Sequence, residues 1–185
     1  MIDNQFQDNL LGQLGDLNEN LKTLTQLIDA ALTPMEEGTT TAETESDVIP
    51  KDISVSGEDA PWIQKAREYF GMDEKDDHAV LSELMGGIDP EKTPWCAYFV
   101  DEILGKCGLP KQNSGLAADF ANYGVECEKA NGAIAVFDGH VGFVVKDTKI
   151  LGGNQGDMVK ENNLQWYHDN RKFLGYRCPK GYKLT

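Results

Sequence analysis

At Gly132 the hydrophobic period of the chain changes from that of helices to two, and this change constrains the fold more than any other feature. Ala133-Ile134-Ala135-Val136-Phe137, a turn at Asp138-Gly139, and His140-Val141-Gly142-Phe143-Val144-Val145 predict an antiparallel hairpin. After Lys146-Asp147-Thr148-Lys149 a third strand, Ile150-Leu151-Gly152, runs into Gly153-Asn154-Gln155. Met158-Val159 and Phe173-Leu174-Gly175-Tyr176-Arg177 predict later strands. Helices first and an antiparallel sheet last make an α+β domain.

The helical half opens at Pro61, where Trp62, Ile63, Ala66, Tyr69 and Phe70 keep helical spacing up to Gly71. The acidic run Met72 to His78 lacks the alternating oxygen ligands of a calcium loop and reads as a solvated turn. A second helix passes through Val80, Leu81, Leu84 and Met85 to Gly86-Gly87. In Thr93-Pro94-Trp95-Cys96-Ala97-Tyr98-Phe99-Val100, Thr93 suits an N-cap and Pro94 a first helical position, which places Cys96 in the opening turn. That helix reaches about Lys106 and stops at Gly108-Leu109-Pro110. Trp95, Phe99 and Ile103 lie on one side of it and Val100, Leu104 and Cys107 on another, so it should be the central buried helix. A short helix from Leu116 to Tyr123, capped by Ser114, follows.

Residues 1–60 are organised differently. Leu10, Leu14, Leu17, Leu21, Leu24, Ile28 and Ala31 alternate steps of four and three, an a/d heptad seam over 1–32 that predicts self-association or docking on a protein partner. Residues 33–60, rich in Thr, Glu, Asp and Ser, predict a flexible acidic linker, with 61–185 as the folded domain. Of the chain's 31 acidic residues, 13 lie in residues 1–60 against Lys22 and Lys51 alone, so most of the net charge of −14 belongs there. Neither part has the basic stripe that nucleic-acid binding needs. No apolar run approaches the roughly 18 residues of a membrane span. Met1-Ile2-Asp3-Asn4 lacks the basic start of a signal peptide, so the expectation is synthesis in the cytoplasm and carriage to the site of action by another route.

The chemistry centres on Cys96 and His140. Cys96, Cys107, Cys127 and Cys178 are spaced 11, 20 and 51 residues apart, which fits no zinc motif and favours free thiols. A thiol at a helix start faces the positive end of the dipole, which favours the thiolate; the competing reading is a small buried apolar side chain. Of the three histidines, His78 falls in the acidic turn and His168 in a polar loop. His140 starts a strand at an exposed hairpin end, where a general base can be held rigidly. Cysteine, then histidine, then a polar orienting residue is the order of papain-like enzymes. Asn154 and Gln155 both qualify as orienter: an odd-length loop before the third strand puts Asn154 on the His140 face, an even one Gln155. Gly152-Gly153 could host a bulge that favours Asn154.

Pro94-Trp95-Cys96-Ala97-Tyr98-Phe99-Val100, Gly139-His140-Val141-Gly142-Phe143-Val144 and Leu151-Gly152-Gly153-Asn154-Gln155 resemble the motifs of the CHAP (cysteine, histidine-dependent amidohydrolase/peptidase) and NlpC-type superfamily. The likeness spans about residues 61–180 and is greatest to the branch found in bacteriophage and prophage lysins. It implies a papain-like domain with a Cys-bearing helix on an antiparallel sheet. It also implies catalytic Cys96, His140 and Asn154, no metal and no cofactor. Many such domains carry an acidic residue where this chain has Gly152. The implied activity is peptidoglycan hydrolysis, as amidase or endopeptidase; Trp95, Gln155 and Trp166 are candidates for the substrate side, although for the aromatics a place in the core is the stronger reading. Tyr123 and Tyr167 are further groove candidates. The heptad helix would then tether the enzyme to a phage particle or similar assembly that acts at the bacterial wall or periplasm. The rival readings are a virion assembly protein without activity and a delivered wall-degrading toxin.

Overall fold

The structure is a computed structural model and describes residues 53–57 and 60–185. The heptad segment 1–32 lies outside these residues, as does most of 33–60. Six strands form one antiparallel sheet in the order β2-β7-β3-β4-β5-β6. They are β2 (Val125–Glu126), β3 (Ile134–Phe137), β4 (His140–Val145), β5 (Lys149–Gly152), β6 (Lys160–Asn163) and β7 (Phe173–Cys178). With helices packed on it, this is an α+β domain with an antiparallel sheet. β3 and β4 pair through Phe137 and His140 around the two-residue turn Asp138-Gly139, with Gly139 at φ 75° as a tight hairpin turn requires.

Neither face of the central hairpin is left to water. Ile134, Val136, Val141 and Phe143 point into a core with α1 (Pro61–Arg67), α2 (His78–Leu84) and α3 (Cys96–Lys106), which contribute Trp62, Ile63, Leu81, Phe99 and Ile103. On the opposite face Ala133, Ala135, Phe137, Val144 and Ile150 meet Leu164 and Tyr167 of α4 (Leu164–Asn170). Burial of a large apolar side chain is worth roughly 1.5–3 kcal/mol, so this two-sided burial holds the hairpin, and His140 at its tip, in place.

Four sequence expectations need correction. Residues 53–55, assigned to the linker, form β1 (Ile53–Val55), which pairs in parallel with β8 (Tyr182–Leu184), so the domain begins before Pro61. Tyr182 in turn stands edge-on to Trp62 with ring centroids 5.1 Å apart. The strand expected at Met158-Val159 starts instead at Lys160: Asp157 lies at φ 65° and the Gln155 amide closes a turn on the Met158 carbonyl. The segment holding Trp166 and His168 is helix α4 rather than a loop, because the Asn163 side chain accepts the Trp166 amide at 3.2 Å and caps it. The helix expected from Leu116 to Tyr123 is a 3₁₀ turn, Ala117–Asn122, preceded by Ser114, whose hydroxyl accepts the Leu116 amide.

Candidate active site

Cys96 is the first residue of α3, and Trp95 occupies the N-cap position without a side-chain cap. The start therefore falls two residues later than a Thr93 cap predicts. What locates it is Trp95, fully buried, with Nε1 donating to Glu74 Oε2 at 3.1 Å and its ring edge-on to Phe99. The ring lies so close to Gly153 that a Cβ there would come within 2.3 Å of it. Trp95 belongs to the core and does not line the cleft, contrary to its candidate place at the substrate. It locks the start of α3 against the chain that leaves β5.

The Cys96 thiol is free and 6% exposed. Burial pushes it up from its ordinary value, while the backbone amides of Val141, Ala97 and Cys96 itself, and then the charge of Arg171, pull the other way. The helix-start environment is present, but desolvation outweighs it. Burial thus favours the thiol over the thiolate that the helix dipole alone favours. The approach of the thiol to the Val141 amide puts the sulfur beside the residue that follows His140.

His140 is 4% exposed, and its Nε2 has no hydrogen-bond partner. The Tyr167 ring stacks on the imidazole, centroids 4.5 Å apart and planes 15° from parallel. Burial, reinforced by the nearby Arg171 charge, lowers the imidazole to about 3, against a hydrogen bond donated by the ring to the Gln155 side chain, which raises it. The ring therefore rests as the free base.

Gln155 is the side chain bonded to His140, and the reason lies in the backbone. The loop between β4 and β5 has three residues, 146–148, so a continued strand would have put Asn154 on the His140 face. β5 ends at Gly152 instead, and Asn154 at φ 53° turns the chain so that Gln155 enters the interior. There Gln155 Nε2 donates to the carbonyls of Ile150 and Gly152, each at 3.2 Å, and to that of Lys160. Its Oε1 accepts from Tyr167 Oη at 2.9 Å. Asn154, half-buried, lines the cleft alongside.

Cys96, His140, Asn154, Gln155 and Trp166 all border one open cleft of about 650 Å³. Trp166 is 52% exposed and stands edge-on to Tyr167. Tyr123 is buried under Phe120, away from the cleft. Past Pro94, Cys96 and Gly139 the groove continues into a second lobe of about 410 Å³, walled by Tyr98, Gly115, Leu116 and Ala117. In the acidic turn, Asp73 Oδ1 accepts the Lys75 and Asp76 amides and Asp77 Oδ2 the Asp73 amide, so these carboxylates serve the turn itself. Among the described residues no cluster of His, Cys, Asp or Glu is arranged to hold a metal, and no helix is long and apolar enough to cross a membrane.

Arg171 was not anticipated from the sequence, nor was the contact of Tyr167 with the histidine. Both come from α4 and the residue that ends it, and the available signal was the Asn163 cap followed by Leu164 and Tyr167 at helical spacing. The arrangement is a buried thiol and a free-base imidazole on one cleft, the imidazole held by an amide and a phenol. Comparisons with protein-family models, with curated proteins and with solved structures found no match for this chain.

Proposed function

We propose that this domain is a papain-like, cysteine-dependent amidohydrolase that cleaves amide bonds of bacterial peptidoglycan, as an amidase or an endopeptidase. The observation that carries the reading is His140 Nε2: a buried ring nitrogen without a partner, on the cleft that Cys96 borders. A buried polar atom left unsatisfied costs roughly 1–3 kcal/mol, a cost tolerated where the atom is needed for proton transfer. No hydrogen bond joins His140 to Cys96, as is common before substrate tightens such a pair.

In this mechanism the imidazole removes the thiol proton as sulfur attacks the amide carbon. A carbon–sulfur bond forms and negative charge moves to the oxygen, where amides at the start of α3 are suited to receive it; one such donor is worth about 2.7–4 kcal/mol in acyl transfer. The carbon–nitrogen bond then breaks as the imidazolium returns its proton to the departing amine. Water, deprotonated by the same imidazole, hydrolyses the thioester to a carboxylic acid and regenerates the thiol. A neutral thiol and a free-base imidazole are the protonation states this sequence needs at the outset.

Residues 1–32 are proposed to dock the enzyme on a phage particle or comparable delivery assembly, which the heptad leucines and the acidic stretch after them support. Digestion of purified cell wall followed by mass spectrometry of the soluble fragments tests the activity and identifies the bond. New amino termini from the wild-type protein and none from Cys96→Ala support it; no fragments from the wild type would end it.

A further inference from the structure

We propose that Arg171 is a substrate-recognition residue that binds a carboxylate on the amine side of the scissile amide, with a small apolar acyl fragment in the lobe beyond Cys96. The inference rests on the amidohydrolase reading and adds to it the chemistry and direction of the substrate.

The first observation is the charge of the cleft. Among the described residues no acidic side chain borders the 650 Å³ cleft, where Arg171 is the one permanent charge among side chains that are otherwise amide, aromatic or small. The second is what holds the guanidinium. Its Nη1 donates to the Asp138 carbonyl at 3.2 Å, and its carbon lies 6.0 Å from the centre of the Tyr167 ring. A Cβ on Gly139 would come within 2.8 Å of that Nη1, so the bare turn admits the group. Among the described residues no carboxylate pairs with Arg171, so the donors left after the Asp138 carbonyl are not taken by an acidic side chain. A positioned guanidinium with donors to spare is the group that takes a carboxylate through two parallel hydrogen bonds.

The direction follows from His140 and from the second lobe. The departing nitrogen must receive its proton from the imidazole, so the amine fragment lies on the His140 side, which is also the Arg171 side. Beyond Cys96 the lobe has no charged residue on its walls among the described residues. Tyr98 packs on Gly115 so closely that a Cβ there would lie 2.5 Å from its ring, and Leu116 is 67% exposed over the opening. The loop is held by Asp101, whose carboxylate accepts the Gln112 and Asn113 amides. Such walls suit an apolar side chain and disfavour an ion.

The test uses three synthetic wall peptides that share one scissile amide: a free carboxylate on the amine fragment, the same group as carboxamide, and a carboxylate moved to the acyl fragment. For the full chain, kcat/KM should favour the first by on the order of ten- to a hundredfold. Arg171→Gln should bring the ratio of the first two close to one, Arg171→Lys should keep part of it, and the third should be poorest. A preference that survives Arg171→Gln, or none in the wild type, overturns the proposal. If no peptide is cleaved, the hydrolase reading fails separately and calorimetry on Cys96→Ala decides the carboxylate. Tighter binding of the first peptide, lost with Arg171→Gln, supports the site, and equal or absent binding overturns it.

Discussion

Tyr167 holds His140 in two ways at once: its ring lies 4.5 Å from the imidazole and nearly parallel to it, and its hydroxyl donates to the Gln155 side chain that bonds the same imidazole. Stacking fixes the plane of the ring and the amide fixes its rotation. Tyr167→Phe keeps the first and removes the second, a loss of about 1 kcal/mol. The expected result is a kcat roughly fivefold lower with KM little changed; Tyr167→Ala should lose considerably more. Steady-state kinetics on a soluble wall peptide measure both.

Gln155 and Asn154 occupy neighbouring positions with different duties. Gln155→Ala removes the hydrogen bond to His140 and leaves the carbonyls of Ile150, Gly152 and Lys160 without a donor they now have. At roughly 1–3 kcal/mol for groups left unsatisfied, kcat should fall by about five- to a hundredfold. Asn154→Ala should act mainly on KM, since Asn154 borders the cleft without bonding the imidazole. The reverse pattern would return the orienting role to Asn154.

The buried imidazole makes stability depend on pH. In the unfolded chain a histidine takes up its proton near 6.5, whereas folded His140 does so only at about 3. Between these values the unfolded state binds more protons, so stability is complete above 6.5 and falls on acidification. The slope is about 1.4 kcal/mol per pH unit within that window. For Glu161 burial is the largest single effect and raises the carboxyl, but the hydrogen bonds and charges of Lys146 and Arg67 together outweigh it and hold the group below its ordinary 4.5, so it adds a loss only below about that value. Urea unfolding from pH 7 to 5 should therefore show the slope in the wild type and a shallower one in His140→Asn.

Gly153 tests the core that positions Cys96. In Gly153→Ala the methyl group meets the Trp95 ring at 2.3 Å and the Phe99 Cβ at 2.8 Å. Relief by shifting Trp95 displaces the residue before Cys96, the proposed nucleophile. The expected cost is roughly 1–3 kcal/mol in urea unfolding, together with a lower kcat.

Local signals made much of this arrangement legible. The period-two run from Ala133 to Val145 and the Asp138-Gly139 turn define the hairpin within thirteen residues, and the apolar faces of residues 96–106 define the buried helix. Three matters of tertiary context were not legible. Which of Gln155 and Asn154 turns into the interior beside His140 depends on β5 ending at Gly152, a backbone event that alternation does not encode. Arg171 and the stacking of Tyr167 required helix α4, whose charged and amide residues made it look like a loop. The protonation of Cys96 reverses the helix-dipole expectation because the depth of burial, set by Trp95, Val141 and the sheet, is a property of the fold rather than of the helix start.

Clearing of a peptidoglycan-impregnated gel by the full chain and by Cys96→Ala, at matched amounts of folded protein, tests the central claim most directly. The account predicts a cleared band for the wild type and a rate at least roughly a thousandfold lower for the variant, as expected when a nucleophile is removed. Equal clearing by the two proteins would contradict it.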